Sequence, residues 1–210
     1  MIRIFLAGLL GGVAMFIWTY LAYTAFPLGE TAIHDLPNEM AVLDGLQKNI
    51  AEKSGVYVFP SPKKGVNLTG AEKAGAMADS VARYPSGFLI YNAAGSRPFA
   101  MFQWLSVDFV TELAEAFLAI FLLSRTSQKT FGERVRFVLL TGVLVAIASN
   151  VPYWNWYGFS ASYILAYMLI QVVGFLCLGL VAAFVLRDQT FEIARKPRFL
   201  PVLSRTILDH

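Results

Sequence analysis

Long apolar runs constrain the fold of this chain more than any other feature of its sequence. They lie at residues 1–26, 103–124, 137–151 and 162–186. A helix of about 20 apolar residues spans the roughly 30 Å hydrocarbon core of a bilayer. Only 15% of the residues are charged, against about 25% in soluble domains. The sequence therefore predicts an α-helical integral membrane protein with four transmembrane helices.

The first and third runs each leave a question open. The first one, after Arg3, is longer than the roughly 7–15 apolar residues of a secretory signal sequence. We therefore expect a retained helix rather than a cleaved leader. The third one is only about 23 Å long at 1.5 Å per residue, and we expect Pro152 to end it. Such a short helix just crosses a bilayer or thins it locally.

Residues 27–102 form a polar insertion between the first two transmembrane helices. Its seven basic and seven acidic residues are mixed, so it carries no net charge. Apolar spacing predicts a helix after Pro37, and a capping-box pattern at residues 69–72 predicts another. Apolar runs at residues 56–59 and 88–91 predict two strands, and the strand–helix–strand order favours a parallel pair in a small α/β domain. Because two strands alone are marginal, we expect the insertion to lean on the bundle or a partner.

Basic residues near the ends of the helices predict the orientation of the chain. The loop at residues 125–136 carries four, the tail at residues 187–210 carries five, and the turn at residues 152–161 carries none. By the positive-inside rule, both chain termini and the loop face the cytoplasm. We expect the insertion and the turn to lie on the extracytoplasmic side of a bacterial inner membrane.

The second transmembrane segment carries three carboxylates on one helix face. Asp108, Glu112 and Glu115, the acidic stripe, fall within an arc of roughly 60°. Counted from Arg125 at the inner surface, Glu115 lies about 15 Å deep, near the middle of the bilayer. An ionised carboxylate at that depth costs at least about 2.5–3.5 kcal/mol. No Lys or Arg lies within the apolar part of any predicted span to pair with it, since Arg3 precedes the first apolar stretch.

The sequence allows three charge states or pairings of the acidic stripe. Its carboxyl groups are protonated, bind a cation, or face a basic group on a partner subunit. A functional stripe relays protons or cations, or forms a site open to the outer side. A structural stripe is neutral and only supports helix packing. The candidate polar neighbours share one face of the fourth segment and are Tyr163, Tyr167 and Gln171.

An uncharged aromatic turn follows the third segment. Aromatic side chains between two spans usually form a belt at the membrane interface. The alternative is a platform for a lipid headgroup, quinone or sugar, lining one outward-opening cavity together with the acidic stripe. The candidate ligand or interface residues are Asn150, Trp154, Asn155, Trp156 and Tyr157.

Other site chemistries find little support in the sequence. The insertion lacks a glycine-rich phosphate loop after a strand, and no histidine is placed to activate a serine. Both histidines lie outside the apolar runs, which argues against a bis-histidine haem or a histidine-rich metal centre in the bundle. The net charge of +3 is scattered along the chain, which is not typical of nucleic-acid binding. We therefore assign no metal, no cofactor and no nucleic-acid partner.

These features favour an accessory or assembly subunit of a larger membrane complex, in contact with lipids and a protein partner. The insertion would engage that partner, and the acidic stripe would relay protons or pair with the partner. The alternative is a membrane enzyme or carrier for a lipid-soluble substrate, which uses the stripe beneath the aromatic turn. An outward-open cavity lined by the stripe favours the enzyme or carrier. A stripe packed against helices, or facing lipid, favours the subunit.

Overall fold

The structure is a computed structural model that describes residues 1–61 and 69–187. Over these ranges the chain forms six α-helices, a short 3₁₀ turn and a two-stranded sheet. The helices are α1 (Ile2–Thr24), α2 (Glu39–Ile50), α3 (Gly70–Arg83), α4 (Met101–Ser124), α5 (Phe131–Tyr157) and α6 (Ala161–Val185). The strands are β1 (Gly55–Phe59) and β2 (Gly87–Tyr91).

Three of the described helices are long and apolar enough to cross a membrane, namely α1, α5 and α6. The fourth long helix, α4, has 24 residues and also contains the acidic stripe. Helix α4 is about as long as α1, α5 and α6, but unlike them it carries three carboxylates within its apolar sequence. The protein is therefore helical and membrane-like, while a fourth membrane crossing by α4 stays a prediction.

The four long helices pack side by side in the order α4, α1, α6, α5. Small residues let α1 approach both of its neighbours closely. A Cβ atom added at Gly12 would lie 2.7 Å from Cδ2 and 3.1 Å from Cα of Leu113 on α4. One added at Gly11 would overlap the side chain of Leu178 on α6. The core between the helices includes the fully buried Ile120 and Val138.

Helix α5 is longer than the sequence predicts, and the expectation that Pro152 ends it is wrong. The helix has 27 residues, about 40 Å at 1.5 Å per residue. It begins at a capping box in which Thr130 and Glu133 bond each other's backbone N–H groups. Pro152 removes one backbone hydrogen bond near the end of the helix, which apolar helices tolerate. The helix ends at Gly158, whose φ of 72° is left-handed.

The longer α5 also shortens the two connections beside it. The predicted aromatic turn at residues 152–161 lies mostly in the last turns of α5. The predicted loop at residues 125–136 includes the first residues of α5, among them Arg134, which is 1% exposed. Its Nε donates to the Gln128 carbonyl at 3.2 Å, and its Nη1 donates to the Leu186 carbonyl at the end of α6. An arginine that the sequence places in a loop thus ties the start of α5 to the last carbonyls of α6.

The two strands are antiparallel, so the predicted parallel pair is wrong. Gly55 pairs with Tyr91 and Phe59 pairs with Gly87. The chain therefore leaves β1 and enters β2 at the same end of the sheet. A parallel pair needs a crossover helix packed on the sheet, but α3 buries none of its residues.

The insertion has no buried core among its described residues. No residue of α2 or α3 is buried, and the strands are at most half-buried. Helix α3 is fixed locally by the predicted capping box, because the N–H and hydroxyl of Thr69 both donate to Glu72 at 2.8 Å. These two bonds also lower the pKa of Glu72 below its ordinary value. One ring contact links the sheet to the bundle, between Phe88 and Tyr157 at 4.8 Å.

Some predicted segments fall outside the described residues. The tail predicted at residues 187–210 is described only at Arg187. Its other basic residues, which contribute to the predicted orientation, therefore have no structural description.

The contact between α5 and α6 can be tested at Gly142. A Cβ added there would overlap Phe175, with its Cγ at 2.5 Å. We expect Gly142→Ala to lower the free energy of unfolding by about 1–3 kcal/mol, because overpacking displaces neighbouring side chains. Gly132→Ala in the same helix is the matched control, since nothing lies within 4 Å of an added Cβ. Titration with sodium dodecyl sulfate in mixed micelles, followed by circular dichroism, measures both. Equal stability of the two variants would contradict this packing.

Candidate functional site

The acidic stripe faces a cavity of about 250 Å³ between α1, α4 and α6. Each helix contributes one face at helical spacing. From α4 come the three carboxylates and Thr111. The lining residues from the other two helices are Met15, Thr19 and Tyr23 on α1, and Tyr167, Ile170, Gln171, Gly174 and Phe175 on α6.

The three carboxylates around this cavity differ in their solvent exposure. Asp108 is exposed at the protein surface, whereas Glu112 and Glu115 are half-buried. Tyr23, from α1, is 41% exposed. The cavity therefore reaches the surface near Asp108 and Tyr23, and Glu112 and Glu115 lie further inside.

Glu112 has a buried side-chain oxygen that lacks a hydrogen-bond partner within the described part of the chain. Its Oε2 is fully buried and accepts no hydrogen bond from the described residues. Thr19 lies close enough to interact with the carboxyl group. The cavity lining contains no lysine, arginine or histidine. A half-buried carboxylate with one unpartnered oxygen and no counter-charge in the cavity lining is unfavourable, so these surroundings favour a bound proton or a cation at Glu112.

Three tyrosines, one on α1 and two on α6, form a row of rings that starts at the cavity. The rings of Tyr23 and Tyr167 meet edge to face with centroids 6.2 Å apart. Tyr167 in turn stacks on Tyr163 at 4.4 Å. Only Tyr23 and Tyr167 line the cavity itself. Tyr163, predicted as a polar neighbour of the acidic stripe, therefore lies one ring further away.

Gln171 connects the cavity to α5. Its Oε1 lies 2.6 Å from Nδ2 of Asn150 and 3.2 Å from the hydroxyl of Ser149. The same Asn150 amide also donates to the Ala146 carbonyl at 2.9 Å, which identifies the contacting atom as nitrogen. The side-chain carbonyl oxygen of Gln171 therefore accepts hydrogen bonds from α5.

The predicted aromatic residues lie apart from the acidic stripe. Trp154, Asn155, Trp156 and Tyr157 are all exposed in the last turns of α5, and none of them lines the cavity. Asn150 is buried and reaches the cavity only through Gln171. The structure therefore does not bring the predicted aromatic residues and the stripe into one cavity, and Asn150 only contacts the lining residue Gln171.

Sequence reasoning missed the contribution of α1 to the cavity. Met15, Thr19 and Tyr23 recur at i, i+4 and i+8 and so share one helix face. The two polar residues of this trio, Thr19 and Tyr23, were the available signal. Their position opposite α4 depends on the rotation of α1, which the sequence alone does not fix.

The carboxylates do not form a shared metal-binding group. Across residues 1–61 and 69–187, no three His, Cys, Asp or Glu side chains come together as metal ligands would. The three carboxylates lie along the cavity rather than around one point. This arrangement suits separate protons, or an extended ligand, better than a single metal ion.

Comparison with known proteins assigns no family to the chain. No protein-family model matches it, and neither a curated protein nor a solved structure matches it significantly.

The polar contact between α5 and α6 can be tested with two asparagines of α5. Asn150→Ala removes a donor to Gln171, and we expect it to lower the free energy of unfolding by about 1–3 kcal/mol. Asn155→Ala is the matched control, because Asn155 is exposed and both changes alter helix propensity equally. Detergent unfolding followed by tryptophan fluorescence measures the difference. A loss of stability of the same size in both variants would refute the structural role of Asn150.

Proposed function

We propose that this protein is a membrane carrier that binds a lipid-soluble organic cation in the carboxylate cavity and exchanges it for a proton. The observation that carries the proposal is the buried, unpartnered Oε2 of Glu112 in a cavity with no basic residue in its lining. A carboxyl group in such surroundings is either protonated or paired with a cation.

The rest of the cavity lining supports an organic cation rather than an inorganic ion. The lining includes the aromatic residues Tyr23, Tyr167 and Phe175, and Met15 adds a polarisable side chain. Aromatic faces attract ammonium groups whose hydration is weak. The volume of about 250 Å³ is near the lower end for small-molecule sites, so the ligand is small.

The exchange needs only the residues of the cavity. In the empty state, the Glu112 carboxyl group keeps its proton, so no net charge is buried. As the cation enters, the O–H bond of Glu112 breaks and its proton passes to water near the exposed Asp108. The ammonium group then pairs with the Glu112 carboxylate, so Glu112 and its bound proton or cation carry no net charge in either state.

The cavity favours the carrier over the accessory subunit, because the acidic stripe lines an open cavity that reaches the surface near Asp108. One observation still supports the subunit as a second candidate. Helices α2 and α3 bury no residue, as expected for elements that pack on another protein. Absence of cation binding, together with a stoichiometric partner from native membranes, would favour this second candidate.

The proposed location is the bacterial inner membrane, with both termini in the cytoplasm. Arg125 and Lys129 lie between α4 and α5, and positive charges in short loops stay on the cytoplasmic side. Trp154 and Trp156 lie exposed at the opposite end of α5, where an aromatic belt is expected. In this orientation the insertion is extracytoplasmic.

Calorimetric titration with benzyltrimethylammonium tests the proposal. This probe combines one ring with a fixed positive charge, so it cannot itself gain or lose a proton. We expect binding to the detergent-solubilised full chain, and an affinity about tenfold or more weaker for Glu112→Gln, because the buried charge pair is lost. Glu39→Gln is the control, because Glu39 is an exposed carboxylate at the start of α2.

A neutral probe of the same shape separates charge recognition from apolar binding. Neopentylbenzene replaces the nitrogen of the first probe with carbon. We expect it to bind much more weakly than the cation, and equally to the parent and to Glu112→Gln. Equal affinity of the parent for both probes would contradict the proposal.

A further inference from the structure

The β-ribbon of the insertion has one apolar face that is exposed. Val56 lies opposite Ile90, and Val58 lies opposite Phe88. Directly opposed residues of an antiparallel pair point to the same side of the sheet. These four side chains, the ribbon face, are 67%, 69%, 40% and 41% exposed in that order.

The described part of the insertion does not cover the ribbon face. Helices α2 and α3 bury no residue, so neither of them packs on the ribbon as a sheet-covering helix would. Neither strand contains a charged residue. A contiguous apolar patch of this kind marks a surface that meets another apolar phase or molecule.

The ribbon face continues into the aromatic end of a membrane-like helix. The ring of Phe88, a member of this face, lies 4.8 Å from the ring of Tyr157 in the last turn of α5. Beside Tyr157, Tyr153 is 51% exposed and Trp156 is 76% exposed. Exposed tyrosines and tryptophans at the end of an apolar helix are typical of the headgroup level of a bilayer.

The start of α4 carries a second aromatic group at the same end of the bundle, since the insertion joins it to α1. Trp104 packs edge to face on Phe99 at 5.1 Å. The guanidinium of Arg97 lies 5.4 Å from the centre of the Trp104 ring. A cation above an aromatic ring suits the boundary between apolar and aqueous phases. The insertion is therefore bounded by interfacial aromatic residues on the α4 side as well as on the α5 side.

We propose that the ribbon face lies on the lipid surface, so that the membrane itself covers it. The proposal uses the three apolar helices that fix the bundle in a bilayer, and it does not depend on cation transport. Because the strands carry no charge, the interaction does not require anionic lipid, and a zwitterionic bilayer is sufficient. The insertion then lies along the membrane and does not stand off it as a separate soluble domain.

Lipid-based quenching of single-site labels tests this proposal. The full chain with Cys177→Ser is reconstituted in phosphatidylcholine nanodiscs, and single cysteines replace Val56 or Ile90. An environment-sensitive fluorophore on each cysteine is then quenched by nitroxide-labelled phosphatidylcholine. We expect blue-shifted emission and strong quenching at both sites. Asp44→Cys is the control, because Asp44 is an exposed charged residue of α2, and we expect unshifted, weakly quenched emission there.

Two results would overturn the proposal. Labels at Val56 and Ile90 could be as solvated as the label at Asp44, which would place the ribbon face in water. They could also be shielded from water yet not quenched by the labelled lipid, which would mean that protein covers the face. A variant with both Val56→Cys and Ile90→Cys checks that the ribbon is folded, because directly opposed cysteines can form a disulfide on oxidation.

Discussion

The close approach of α1 to α4 and α6 determines where the acidic stripe lies. Gly11 and Gly12 leave room for Leu178 of α6 and Leu113 of α4, and the indole N–H of Trp18 donates to the Ile170 carbonyl at 2.9 Å. With both neighbours fixed on one helix, the carboxylates of α4 face α6 across a small cavity. A larger residue at either glycine would separate the helices and change the shape of that cavity.

The chemistry of the site follows from what this packing includes and leaves out. It brings hydroxyl, amide and aromatic groups to the carboxylates but places no basic residue in the cavity lining. Packing and electrostatics are therefore in conflict at Glu112, whose buried Oε2 has no partner among the described residues. Conflicts of this kind are expected at functional sites, where local stability is exchanged for the ability to bind. The proposed exchange between a proton and a cation would resolve this conflict without an added protein partner.

The sequence predicts local features of this protein well and relations between distant segments poorly. The capping box at Thr69 and the periodic spacing of the acidic stripe depend on neighbouring residues, so they are readable directly. The antiparallel ribbon, the burial of Arg134 and the place of Thr19 in the cavity depend on how separate elements meet. The prediction that Pro152 ends the third helix is wrong for a related reason. An apolar helix continues past a proline when its surroundings satisfy the freed carbonyl group.

Proton release on cation binding is the most direct test of the central claim, that Glu112 exchanges a proton for a cation. Benzyltrimethylammonium is added to the full chain in weakly buffered detergent solution, and a pH indicator reports released protons. We expect the parent to release protons in proportion to the cation bound, and Glu112→Gln to release none. Saturable binding of the cation without proton release, or equal release from both proteins, would contradict it.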